Sequence, residues 1–184
     1  MDIFRSVICV AFLVGANVGL IMPVEAQVAF QPSGCEFRAV FVGAPDVKTA
    51  TMPDENGKPQ TETIASLGVM LDGKPNFFRA ECIDAQVPAN VDEALLQEDM
   101  QAIATGNHLR KAIVWVEKSS GGELVGRIRG EVTDGVTTYQ LEIRRYLGRH
   151  NIMDVWVGAP PEAFPSEGNL IFLKELRRDG KPLD

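Results

Sequence analysis

From Tyr139 to Arg144 apolar and polar side chains take turns, with Tyr139, Leu141 and Ile143 set against Gln140, Glu142 and Arg144. A period of two is the mark of a strand with one face buried and one wetter. The same reading covers four successive runs, 110–118, 123–132, 136–147 and 151–158. Ser119-Ser120-Gly121-Gly122, Thr133-Asp134-Gly135 and Gly148-Arg149-His150 separate them as turns. Connectors this short predict antiparallel neighbours. Upstream, 27–34 reads as an extended leader and 35–42 as a first strand ended by Gly43-Ala44-Pro45. The runs 61–71 and 75–83 flank Asp72-Gly73-Lys74, a hairpin signal. Between them, 46–60 shifts to Lys, Asp, Glu, Asn, Gly and Pro, which predicts an exposed loop or flexible arm.

Two segments carry helical periodicity. Asn90 followed three residues later by Glu93 has the capping-box arrangement, Leu95, Leu96, Met100, Ala102 and Ile103 gather on one side, and Gly106 marks the end. That apolar side predicts docking on the sheet. After Pro160-Pro161 a last amphipathic helix is expected over 170–178, with Leu170, Ile171, Leu173 and Leu176 inward, and 180–184 as a tail. The expected fold is α+β: one domain over 27–184, an antiparallel sheet of about six to seven strands flanked by two helices.

The first 26 residues change the compartment. Arg5 precedes an apolar run from Ser6 to Met22 with Asn17 as its polar interruption, and then Pro23, Val24, Glu25 and Ala26 follow. This is the layout of a secretory signal, with Val24 and Ala26 at −3 and −1 of a cut before Gln27. A 17-residue run is also barely long enough to span a bilayer, so an uncleaved anchor stands as the alternative. Cleavage takes Cys9 away and leaves Cys35 and Cys82, for which an oxidising compartment predicts one disulfide. The expected location is periplasmic or secreted.

The chain has 18 basic and 25 acidic residues, net −7; the part after the signal has 17 and 23, net −6. That balance argues against general attraction to nucleic acid, or to an anionic membrane once the signal is gone. An anion site would have to be local.

The spacing Phe37-x-x-x-Phe41-Val42-Gly43-Ala44-Pro45, with Tyr146-x-Gly148-Arg149, Val155-Trp156-Val157-Gly158, Phe164 and a final helix, resembles the PsbP-like fold family. The resemblance covers most of the chain after the signal and implies an antiparallel sheet flanked by helices and a non-catalytic assembly or binding role. The chain departs from that pattern in its Cys35 and Cys82 pair and in lacking a recognisable strand after the last helix.

No motif names a reaction. The serines fall in neither GxSxG nor SxxK, and Ser119-Ser120-Gly121-Gly122 lacks the lysine of a phosphate loop. His108 and His150 stand alone; a metal would need His150 with Asp154 and a further ligand such as Glu81 or Asp134, which the spacing does not supply. No metal and no cofactor is expected. Asp92 and Glu93 fit a helix start better than acid–base work.

The feature above background is basic. Arg127 and Arg129 lie on one strand and Arg144 on the next, so the three could share the wet face, with Trp156 nearby. Two readings stay open: a binding patch for an envelope protein or a small anionic ligand, and a cross-strand ladder with Glu131, Glu142 and Asp154. The function expected is an exported, non-catalytic binding or assembly module; the alternative is a periplasmic hydrolase with a scattered acid and base.

Overall fold

A computed structural model describes residues 27–53, 57–88, 90–119, 121–133 and 135–183. The expected signal, its cleavage point and the anchor alternative lie outside the described residues. In chain order the elements are β1 (Val28–Phe30), β2 (Phe37–Phe41), β3 (Asp46–Pro53), β4 (Pro59–Leu71), β5 (Lys74–Asp84), α1 (Glu93–Gly106), β6 (Arg110–Lys118), β7 (Leu124–Thr133), β8 (Thr138–Leu147), β9 (Asn151–Ala159), a 3-10 turn (Pro161–Ala163), α2 (Glu167–Lys174), β10 (Arg177–Arg178) and β11 (Lys181–Pro182). The class is α+β. A seven-stranded antiparallel sheet runs β3-β4-β5-β9-β8-β7-β6, and a smaller one runs β1-β2-β10-β11.

The hairpin between β4 and β5 turns on Asp72 and Gly73, with Leu71 opposite Lys74. Both residues take positive φ, 50° and 71°, as the two-residue turn matched to strand twist requires. Of the two faces of the large sheet, one receives α1, which packs on β6 and β7 through Leu96, Met100 and Ala104. Gly126 of β7 permits this approach, because a Cβ there would come within 2.5 Å of Met100 Cγ. The opposite face receives α2 and the small sheet. There Phe172 meets Phe41 and Phe78 at ring separations of 5.0 and 5.3 Å. Cys35 and Cys82 are bonded, with Cα atoms 6.4 Å apart, so β5 is tied to the residue that leads into β2. No helix among the described residues is long and apolar enough to cross a membrane.

Several expectations need correction. The segment 46–60 begins as strand β3, paired without interruption to β4 from Asp46↔Ser66 to Pro53↔Pro59. β3 is exposed along its whole length, and an edge strand wet on both faces shows no alternation to read. The cap of α1 is Asp92, which accepts from the Leu95 N–H at 2.9 Å; Asn90 lies before it. The last helix starts earlier and ends sooner than 170–178. Ser166 caps it in a capping box with Asn169, and Arg177 and Arg178 leave it to pair with β2. The tail continues as β11, so short strands do follow the final helix.

Candidate functional site

Strand pairing sorts the side chains into rows across the sheet. On the α2 face one row is Val155, Arg144, Arg127 and Trp115, and the next is Val157, Glu142, Arg129 and Ile113. The sheet therefore brings Arg127, Arg129 and Arg144 together as expected. Trp156 does not join them. It stands opposite Ile143 and Arg79, on the α1 face, clustered with Leu96, Met100 and Ile128. The tryptophan beside the arginines is Trp115. Sequence reasoning chose the wrong one because β9 is buried on both faces, so hydrophobicity does not reveal its phase.

The arginine cluster closes on a carboxylate of its own. Glu142 accepts from Arg129 Nη2 at 2.7 Å, Arg144 Nε at 2.8 Å and Arg127 Nη1 at 3.4 Å. Arg127 also reaches Glu117 at 2.6 Å. Burial alone would push the Glu142 carboxyl up, but the Arg129 hydrogen bond and the Arg144 charge outweigh it and hold the pKa below its ordinary value. Of the acids expected in the ladder, Glu142 takes this central place, Glu131 pairs with Lys111, and Asp154 lies on the other face. The ladder reading accounts for Arg144, which is buried, and for the half-buried Arg127. Arg129 differs, since its side chain is 45% exposed and its guanidinium lies 5.9 Å from the Phe164 ring centroid. Directly across from it Ile113 is 65% exposed. Beyond the cover of α2, this end of the face shows Ile113, half-buried Trp115 and Arg129 side by side.

A second constellation, on the α1 face, escaped sequence reasoning. Arg145 forks onto Asp154 at 2.7 and 2.6 Å and reaches Asp99 of α1 with its remaining nitrogen. Burial disfavours the charge on Arg145, yet Asp154 and Asp99 more than compensate and its pKa is raised. Next to it, Arg79 donates to Glu81 through Nε at 3.1 Å and Nη2 at 2.5 Å and lies 5.4 Å from the Trp156 ring centroid. Glu62 is buried diagonally across from Glu81 on β4 and β5. The available signal was Arg79 and Glu81 alternating with Phe78, Ala80 and Cys82 in β5, but that pattern also describes an ordinary wet face.

His108 and His150 are both exposed; the His150 N–H bonds to Glu36 in the β8–β9 turn, while Asp154 is buried against Arg145. Among the described residues no group of three or more His, Cys, Asp and Glu side chains is placed to hold a metal ion. No known family model matches the chain, and no curated protein matches it.

Proposed function

We propose that the protein is exported and serves as a non-catalytic binding or assembly module of the cell envelope, contacting a protein partner through the exposed end of the β6–β7 face. The observation that carries this reading is Ile113, 65% exposed directly across from Arg129 on the β6–β7 pair. Apolar and guanidinium groups placed together suit a partner segment with an apolar residue next to a carboxylate. A small free anion fits less well, because the Glu142 carboxylate already occupies the centre of the arginine cluster. Export is supported by the apolar leader and by the Cys35–Cys82 bond. The resemblance to the PsbP-like family favours the same non-catalytic role.

A photo-crosslinking residue at position 113 tests the reading in intact cells. The expected result is one dominant envelope-protein adduct that Arg129→Glu and Trp115→Ala each abolish. The same probe at Leu170, exposed on α2, should give no such adduct. Equal labelling from both positions would defeat the proposal.

The alternative, a hydrolase, draws on one observation: Glu81 beside Glu62 is pushed up to about 7, the range suited to a general acid, chiefly by burial. Both carboxyls are buried, so a substrate would need the covering chain to open. Its test is turnover of ester and glycoside substrates by the chain from Gln27 onward, lost in Glu81→Gln.

A further inference from the structure

Glu62 stands where the β3–β4 arm departs from the sheet. β5 pairs with β4 only from Glu62↔Ile83 onward, whereas β3 stays with β4 beyond that point through Thr51↔Thr61, Met52↔Gln60 and Pro53↔Pro59. The arm thus overhangs the sheet past a fork between β4 and β5. Glu62 and Glu81 face each other diagonally across that fork, 6% and 7% exposed. Two carboxylates brought together out of water repel when both are ionised, so the pair favours holding one proton.

The surroundings favour keeping that proton. Arg79 from β5 bonds Glu81; Asp154 from β9 lies in the same row and adds negative charge; Arg145 from β8 and Asp99 from α1 stand behind it. From β3, Asp46 and Lys48 share this face but are exposed and paired with each other at 3.1 Å. Two arginines thus face three buried acids and the half-buried Asp99, and one proton removes part of the excess.

We propose that a proton on Glu81, facing the buried Glu62, is a latch on the β3–β4 arm: with it in place β4 is held against β5 at the fork, and its loss drives the carboxylates apart and frees the arm. Burial first, and then the neighbouring Glu62 carboxyl, raise the Glu81 carboxyl to about 7 despite the opposing charge of Arg79. The latch therefore closes on the acid side of neutrality and opens on the alkaline side. The sign follows from linkage: a carboxyl with a raised folded-state pKa binds its proton more tightly folded than unfolded, so its contribution falls as pH rises from 4.5 toward 7.

Hydrogen exchange read by mass spectrometry on the disulfide-intact protein tests this, after correction for the intrinsic pH dependence of exchange. Protection of residues 46–53 and 57–62 should fall about tenfold or more between roughly pH 6 and pH 8, with β7 and β8 unchanged. Glu62→Gln and Glu81→Gln each supply a permanent donor, and either should make the arm's protection independent of pH. Infrared spectra should show a protonated-carboxyl stretch that disappears near neutrality and is absent from Glu81→Gln. If Glu81→Gln does not fold, Glu62→Gln and the infrared titration of the unaltered protein decide the matter. A pH-independent arm, a loss shared by β7 and β8, or a pH response retained in a folded variant would overturn the latch.

Discussion

Trp115 lies directly across from Arg127 on β6 and β7, whereas Trp156, one position from the partner of Arg144, points to the other side of the sheet. The chemistry of the α2 face therefore centres on Glu142, which three arginines share.

Removing Glu142 should cost far more than removing Arg129. In Glu142→Gln the buried guanidinium groups lose their common carboxylate, and breaking such a buried arrangement costs about 3 kcal/mol or more. Arg129→Ala removes a half-exposed partner and should stay within about 1 kcal/mol. Urea denaturation at neutral pH measures both. The pH profile supplies a further check. The Glu142 pKa lies below 4.5 in the folded state, so its contribution is fully present above the unfolded value and is lost as pH falls through the folded one. Glu142→Gln should flatten the acid limb of the stability curve, and an unchanged limb would count against the ladder.

The disulfide should carry a large share of stability. Cys35 and Cys82 are 47 positions apart, and a loop of that length corresponds to roughly 4 kcal/mol of unfolded-state entropy. Replacing both by Ala should lower the urea midpoint by an equivalent amount. The same shift should follow when the native protein is unfolded with a reductant present. If reduction leaves the midpoint where it was, the bond contributes nothing.

What the sequence could reveal depended on whether burial was one-sided. β6 was legible to its ends, Arg110 and Lys118, because its charged termini and flanking turns bound an apolar run. The hairpin at Asp72-Gly73 was legible because two consecutive positive φ values leave few residue choices. β3 was illegible for the reason already seen in its exposure, whereas β9 was legible as a strand but not in its phase, since every residue in it is buried. The two-residue strands β10 and β11 are too short to carry any period; pairing with β2 defines β10, and pairing with β10 defines β11. The same limit divided the candidate site. Arg127, Arg129 and Arg144 could be grouped by parity, but choosing between Trp115 and Trp156 required the phase of a strand that hydrophobicity does not supply.

Asp99 shows how a residue on the nominally polar side of a helix can be turned to structural use. Its carboxylate joins Arg145, which also holds Asp154, so one guanidinium ties α1 to β8 and β9. Burial raises the pKa of both acids, a sign that each is costly to keep ionised without Arg145. Arg145→Met should therefore leave two poorly solvated carboxylates and cost about 3–5 kcal/mol. Replacing Asp99 and Asp154 by Leu in that background removes the stranded charges and should restore much of the loss, because an apolar set of similar volume needs no desolvation of ions. The triple variant would then be more stable than the single one. Hydrogen exchange in α1 should follow the same order, fastest in Arg145→Met and slower in the triple variant. If the triple variant were instead the less stable of the two, Arg145 would be acting mainly through the packing of its alkyl stem, and α1 would owe little to the ion pairs.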